Sequence, residues 1–141
     1  MNELNDQVIA EFRANGGVVR DALGGHFKNI HLLLLHHVGR RSGQEHVTPL
    51  LYVDDGSSLL LVGSNGGATK EPLWFANVQA MAEVTVEVGG RTLKAKPTAV
   101  RDGPEWDRLY ALAVDYWPDF LRYETNAASR RFPVIRLDPM E

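Results

Sequence analysis

The fold class of this 141-residue chain is decided by one stretch, Ile30-His31-Leu32-Leu33-Leu34-Leu35-His36-His37-Val38. A continuous aliphatic run between turn signals is typical of a strand that is buried on both faces. The turn Gly39-Arg40-Arg41-Ser42-Gly43 follows, and strand character resumes over 46–53. Within that second strand Pro49 has no amide hydrogen, so it indicates a bulge or an edge. We therefore expect these two strands to form a hairpin.

The other predicted strands are also bounded by turn residues. Asp54-Asp55-Gly56-Ser57 leads into a strand at 59–63, Gly89-Gly90 joins 84–88 to 92–100, and 133–137 is a sixth strand. Helical patterns cover 4–15 and 72–81, a third helix begins after Asp102, and a short helical turn is expected with Asp119 as its cap. Hairpin-linked strands with few helices predict an α+β domain built as a small antiparallel β-barrel, and argue against a parallel βαβ fold.

Composition narrows the class of protein. With 44% apolar and 23% charged residues, the chain has the balance of one globular domain, in which 1–29 form a helix and a connection and 30–141 the barrel core. The net charge of −3 argues against nucleic acid as the main partner. The sequence has no cysteine, which excludes disulfides and thiolate metal sites, and its acidic start does not resemble a signal peptide. We expect a cytoplasmic protein.

The first helix, 4–15, carries Leu4, Val8, Ile9 and Phe12 on one face. We favour a surface helix packed on the core, because its polar face mixes acidic and basic residues instead of being basic. Peripheral contact with a membrane through this helix, or binding of a partner, is the alternative.

The turn from Gly39 to Gly43 is the first candidate site. Its glycines allow a sharp turn with exposed amides, and Arg40, Arg41 and Ser42 add donors that suit a phosphate or a carboxylate. The sequence therefore allows an anion site here, with an ordinary basic hairpin as the alternative. The glycine spacing matches neither a dinucleotide-binding GxGxxG motif nor a P-loop.

The second candidate is the glycine-rich loop over 63–74, which runs from a strand into a helix. Its unpaired amides and Lys70 could face an anion or the polar edge of a ring, and a planar ligand can approach bare backbone closely. The alternative is a loop that needs glycine only for its turns.

Aromatic residues concentrate near the C-terminus. Trp106 and Tyr110, four residues apart, are most simply core packing, whereas Phe120 and Tyr123 could wall a ligand cleft. Among the histidines, His31 and His37 share a strand face and His36 points away. No carboxylate with clear ligand spacing accompanies them, so no metal is expected.

Several of these motifs together resemble the deazaflavin-dependent nitroreductase family. They are Gly39 to Gly43, Thr48-Pro49-Leu50, Ser64-Asn65-Gly66-Gly67-Ala68, Lys70, Pro72, Trp74, Asn77-Val78, Trp117-Pro118-Asp119, Tyr123 and 130–134. The match in order and spacing spans roughly 32–139, most of the chain. The resemblance implies a split β-barrel, similar to FMN-binding proteins, that binds reduced coenzyme F420 and reduces quinones, nitro compounds or activated alkenes.

The resemblance also implies roles for particular residues. Arg41, Ser42 and Gly43, with Arg40 beside them, match the site of the cofactor's phosphate-bearing tail, and Lys70 is a further candidate. Along the deazaflavin and its side chain the resemblance implies Val47, Thr48, Pro49, Leu50, Leu51, Tyr52, Gly63, Ser64, Asn65, Gly66, Trp74, Phe75, Ala76, Asn77, Val78 and Tyr123. Phe120 and Tyr123 are the candidate substrate contacts. The sequence departs from the family at His36-His37, where threonines are common, and at Phe75 and Phe120, where tyrosines are common.

The implied reaction is hydride transfer from C5 of the deazaflavin to an electron-poor acceptor. Tyr123 is the candidate hydrogen-bond donor to the acceptor oxygen, supported by Ser64 or backbone amides. Two alternatives stay open: an FMN-dependent split-barrel oxidoreductase, and a non-catalytic F420-binding or carrier protein. A homodimer, and a peripheral membrane quinone reductase, are further expectations from the resemblance alone.

Overall fold

The computed structural model describes residues 3–20, 30–68, 70–127 and 131–140. Its strands are β1 (Leu32–Val38), β2 (Glu45–Leu51), β3 (Val53–Asp54), β4 (Leu59–Val62), β5 (Val84–Val88), β6 (Arg91–Val100) and β7 (Val134–Pro139). Its helices are α1 (Glu3–Ala14), α2 (Leu73–Gln79), α3 (Gly103–Tyr116) and α4 (Asp119–Asn126), with a 3-10 turn at Asn65–Gly67. Most of the connection predicted before β1, 21–29, lies outside the described residues, as does Arg130.

All paired strands are antiparallel, in the order β2-β1-β5-β6-β7-β4-β3. Only Tyr52 separates β2 from β3 in the sequence, yet the two strands stand at opposite ends of that order. The sheet must therefore curl until its edges approach each other, as a barrel does. The result is an antiparallel half-barrel, in agreement with the small antiparallel β-barrel that the sequence predicts.

The predicted strand 46–53 is the clearest error in the strand assignments. The structure breaks it at Tyr52, whose amide donates to the carbonyl oxygen of His31 (3.0 Å), and the chain then pairs with β4 instead of β1. The edge indicated by Pro49 is confirmed: this residue lies opposite Leu34, and no described strand pairs with the outer side of β2.

Strand β1 is buried on both faces, as its aliphatic run predicts. Leu33 and Leu35 belong to a core cluster that includes residues of α2, whereas Leu32 and Leu34 pack against α1. The apolar face of α1 is used in this packing, since Val8 and Phe12 are 0% and 1% exposed. The prediction of a helix packed on the core is confirmed.

One helix end differs from its prediction, and another agrees with it. Asp119 was predicted to cap the last helix, but Pro118 occupies the N-cap position and Asp119 lies in the first turn. Asp102 is the N-cap of α3 as predicted, but its side chain makes no capping hydrogen bond, and Glu105 pairs with Arg136 (2.6 Å). No helix in the described part of the chain is long and apolar enough to cross a membrane.

Candidate active site

A cavity of about 850 Å³ opens between the β1–β2 hairpin, the loop that leads to α2, and α4. The predicted site residues that line it are Thr48, Leu50, Leu51, Ser64, Asn65, Lys70, Trp74, Asn77, Phe120 and Tyr123. They come from four separate segments of the chain. The sheet closure brings these segments together around one space of the size that holds a small-molecule cofactor.

The turn predicted to bind phosphate lies beside the cavity and does not line it. Arg40 and Arg41 are exposed, Gly43 has a φ of +71°, and the hydroxyl oxygen of Ser42 accepts from the amide of Gln44 (3.2 Å). The amide of Arg40 donates to Oδ1 of Asn77 (3.1 Å), which lies on α2 and lines the cavity. This hydrogen bond connects the turn to a side chain of the cavity wall.

The two faces of β2 separate most of its predicted residues. Side chains alternate along a strand, so Thr48 and Leu50 face the cavity, while Val47 and Pro49 lie on the other face. Leu51, the last residue of the strand, departs from this alternation and also lines the cavity. Val47 packs on the cluster that contains α1. At the end of β2, Tyr52 does not line the cavity; its ring stacks on His31, and burial raises the pKa of its phenol.

Helix α2 likewise divides its predicted residues. Trp74 and Asn77 line the cavity, whereas Phe75 and Val78 are 1% and 0% exposed in the core. Arg101 lies over the ring of Phe75, 4.9 Å from its centroid. Half-buried Ala76 and buried Gly63 are also outside the cavity lining, and Gly66 lies in the 3-10 turn Asn65–Gly67.

Helix α4 supplies an aromatic wall. The rings of Phe120 and Tyr123 meet edge to face at 6.1 Å, and Phe120 is 5% exposed. The backbone of Gly67, with a φ of +91°, passes directly under this helix: a Cβ there would lie 3.0 Å from the carbonyl oxygen of Tyr123. The glycine-rich loop is therefore needed for close packing that holds Tyr123 at the cavity, in addition to its turns.

His37 and His46 are not among the predicted site residues, yet their stacked rings (centroids 5.2 Å apart) form part of the cavity wall. They lie opposite each other in the β1–β2 register, and Thr48 is two residues along the same face. This period of two in a hairpin could have revealed them. His37 is 4% exposed, and burial, followed by the charges of His46 and His36, lowers its pKa to about 4.

Other lining residues, none of which has an individual site role predicted from the sequence, are Asn5, Ile30, Leu61, Val62, Glu71, Pro72, Leu73 and Trp117. Glu71 forms a two-point ion pair with Arg101 (2.9 and 3.2 Å). The ammonium group of Lys70 has no such pair among the described residues. In the same part of the chain, no group of three or more His, Asp or Glu side chains is arranged to hold a metal ion.

Comparison with known proteins matches residues 7–139 to the model of the F420H2-dependent quinone reductase family. The chain belongs to this family. An F420H2-dependent quinone reductase of Mycobacterium tuberculosis is 33% identical over 107 residues, which are 74% of this chain and 71% of that protein. This match confirms the predicted F420-dependent family, and the name of the family specifies quinone reduction.

Two solved structures support the fold. One, described as an F420H2-dependent reductase, FDR-A, has a TM-score of 0.68 and 30% identity, and covers 76% of this chain and 93% of that one. The other, described as a domain-swapped dimer, has a TM-score of 0.70 and 25% identity, with 96% and 97% covered. The predicted split β-barrel is confirmed.

The residues present fit coenzyme F420. The cavity combines an apolar wall of Leu50, Trp74 and Phe120 with polar groups at its rim, which suits a flat ring with polar edges. Exposed Lys70 at the rim and exposed Arg41 in the neighbouring turn are cations that suit a phosphate-bearing tail.

Proposed function

We propose that this chain is an F420H2-dependent reductase whose acceptor is a quinone. The observation that carries the proposal is that residues singled out on four segments by the F420-family motifs line one cavity. Membership of the family supplies the cofactor class, and the cavity supplies a place for it. Nitro compounds and activated alkenes are acceptors of the same electron-poor type and belong in the test.

The cofactor-binding role falls on two regions. Arg41, Ser42 and Gly43 would hold the phosphate-bearing tail, with Arg40 next to them and Lys70 at the cavity rim. Thr48, Leu50, Ser64, Asn65, Trp74 and Asn77 would surround the ring and its side chain. Support for this division comes from the attachment of the turn to Asn77, which connects the two regions.

When bound, F420H2 supplies a hydride, and one added proton then completes reduction of a quinone to a hydroquinone. The protein must orient the acceptor, exclude water and stabilise negative charge that develops on the acceptor oxygen. Tyr123 is the proposed donor to that oxygen, because its ring lines the cavity and its hydroxyl makes no hydrogen bond to a described residue. Ser64, 8% exposed and also in the lining, is the proposed second group.

Phe120 and Tyr123 would contact the acceptor. Their edge-to-face pair gives an apolar surface with one hydroxyl, which suits a flat ring that carries a carbonyl oxygen. Phe120 itself offers no hydrogen bond. A quinone needs one donor at each carbonyl that gains charge, and Tyr123 can serve one of them.

A titration with cofactors tests the binding half of the proposal. We expect F420 to bind more tightly than FMN when each is titrated into the protein and followed by fluorescence. Arg41→Ala and Lys70→Ala should each weaken F420 binding about 10-fold, the value of one charge-assisted hydrogen bond. Lys94→Ala is the matched control, since Lys94 pairs with Glu83 (3.3 Å) away from the cavity. Tighter binding of FMN would favour the flavin alternative.

We also propose that the chain forms a homodimer. The support is the structural relative described as a domain-swapped dimer. Sedimentation equilibrium is the test, and a mass equal to one chain at micromolar concentration would contradict the proposal.

A further inference from the structure

Four groups, one in the turn after β1 and one each on α2, β1 and β2, form a continuous series of hydrogen bonds beside the cavity. The amide of Arg40, in the turn after β1, donates to Oδ1 of Asn77 on α2 (3.1 Å). Nδ2 of Asn77 lies 3.0 Å from Nδ1 of His37 on β1. Nε2 of His37 lies 2.9 Å from the hydroxyl oxygen of Thr48 on β2. This series thus runs from the proposed tail-binding turn to a side chain that lines the cavity.

The backbone amide of Arg40 fixes the donor-to-acceptor direction of all three hydrogen bonds. A backbone amide can only donate, so Asn77 must present its oxygen to Arg40 and its NH2 group to His37. An amide NH2 group has no accepting lone pair, so Nδ1 of His37 must be the unprotonated ring nitrogen. The hydrogen of the neutral ring is then on Nε2 and is donated to the oxygen of Thr48.

The neutral state of the ring has independent support. His37 is 4% exposed and no acidic side chain is among its hydrogen-bond partners. Burial is the largest cause of its lowered pKa, and the charges of His46, whose ring stacks on it, and of His36 lower the pKa further. At neutral pH, therefore, Nδ1 stays free to accept from Asn77.

The hydroxyl hydrogen of Thr48 cannot point at Nε2, because Nε2 already directs its own hydrogen at the hydroxyl oxygen. No other acceptor for this hydroxyl lies among the described residues, and Thr48 lines the cavity. We propose that His37 is a positioning residue that fixes the Thr48 hydroxyl as a hydrogen-bond donor to an oxygen or unprotonated nitrogen of the cofactor bound in the cavity. The identity of that cofactor as F420 rests on the proposed function; the direction of the hydrogen bonds does not.

Two consequences distinguish this arrangement from ordinary packing. The hydroxyl is committed to donation before the ligand arrives, so binding does not need to reorient it. The same series of hydrogen bonds also connects the turn at Arg40 with the cavity. Any change in Asn77 alters both its hydrogen bond with Arg40 and its hydrogen bond with His37. A merely structural His37 would have neither property.

The ligand-free protein provides the first test. The two ring nitrogens of His37 are distinguished by their 15N chemical shifts, assigned by their loss in His37→Gln. We expect a protonated Nε2 and an unprotonated Nδ1 at pH 7.5. A hydrogen on Nδ1 would overturn the proposal, whatever the protein binds.

A nearly isosteric substitution provides the second test. In Asn77→Asp one carboxylate oxygen can still accept from Arg40, but the other now faces Nδ1 of His37. The neutral ring must then carry its hydrogen on Nδ1, and Nε2 becomes an acceptor that takes the hydrogen of Thr48 away from the cavity. We expect the 15N shifts to reverse, read at a pH where they show a neutral ring.

The affinity for the cofactor then measures the loss of the hydrogen bond that the Thr48 hydroxyl donates. Thr48→Val and Asn77→Asp should each weaken F420 binding about 3- to 10-fold, and Thr48→Ser should recover the affinity lost in Thr48→Val. In the Thr48→Val background, Asn77→Asp should have a much smaller effect. An equal factor in both backgrounds would mean that the added charge acts alone, and would overturn the proposal. Failure of the wild-type protein to bind F420 would instead contradict the proposed function, and with it the assignment of F420 as the group that accepts the Thr48 hydrogen bond.

Discussion

Gly67 packs so closely against Tyr123 that even a Cβ on the glycine would crowd the backbone of α4. A Cβ on Gly67 would lie 3.0 Å from the carbonyl oxygen and 3.1 Å from the Cα of Tyr123. The same glycine has a φ of +91°, a conformation that other residues rarely adopt. This contact joins the glycine-rich loop to the helix that carries the proposed donor.

The first prediction concerns this contact. Gly67→Ala should lower the free energy of unfolding by roughly 1 kcal/mol from backbone strain and about 1–3 kcal/mol more from crowding against α4. Gly56→Ala is the matched control, because Gly56 has a φ of +97° and nothing within 4 Å of the added Cβ. Urea denaturation measures both. Equal losses in the two variants would show that the contact with α4 does not matter.

A second prediction concerns the proposed donor. Tyr123→Phe should lower quinone turnover about 10- to 100-fold while F420 affinity changes little, because the hydroxyl acts on the acceptor. Tyr116→Phe is the comparison: its hydroxyl accepts from the amide of His31 (2.7 Å), so its loss should reduce stability instead. Steady-state kinetics with F420H2 in excess separates the two. Full turnover by Tyr123→Phe would remove the proposed role.

The third prediction is a pH dependence from His37. Its pKa is lowered from 6.5 to about 4 in the folded protein, so between these values the unfolded chain binds more protons. The contribution of His37 to the free energy of unfolding therefore keeps its full value above pH 6.5. It decreases by roughly 2–3 kcal/mol as the pH falls from 6.5 to 4.

His37→Gln isolates this contribution. Glu87 and Asp138 also have lowered pKa values, caused first by hydrogen bonds from Arg13 and Ser58, and they lose stabilisation in acid in both proteins. The unfolding free energy measured from pH 7.5 to 4 should therefore fall less steeply in the variant. Parallel curves would contradict a neutral, buried His37.

The fourth prediction concerns α1. Phe12→Ala should cost about 3–5 kcal/mol of unfolding free energy, because the ring is 1% exposed against β1. Leu121→Ala, at a site 53% exposed, should change stability by less than about 0.5 kcal/mol. Thermal unfolding of both variants checks this, and a small loss for Phe12→Ala would mean that α1 is not part of the core.

The features of the strands that depend on residues within one strand could be predicted from the sequence. The run Leu32 to Leu35 predicts burial on both faces, and Pro49 predicts an edge, because each signal acts within its own strand. The break at Tyr52 could not be predicted, since it depends on closure of the sheet and on a hydrogen bond to His31. The position of Asp119 inside its helix likewise depends on the backbone of Pro118.

The candidate site likewise contains residues that could be predicted from the sequence and residues that could not. Phe120, Tyr123 and the loop near Ser64 could be selected from residue types and motif spacing, and they line the cavity. The tautomer of His37 could not be predicted, because the direction of its hydrogen bonds is set by Asn77, forty residues away in sequence. Nor did spacing reveal that Phe75 points into the core while Trp74 lines the cavity.

The activity proposed for this chain is the oxidation of F420H2 with a quinone as the electron acceptor. The most direct measurement is anaerobic mixing of the protein with F420H2 and a soluble quinone, with nitroaromatic and enone acceptors in parallel. We expect the absorbance of oxidised F420 to reappear with the quinone, at a rate proportional to enzyme concentration. Tight binding of F420 without oxidation by any acceptor would contradict this proposal and identify the chain as a carrier.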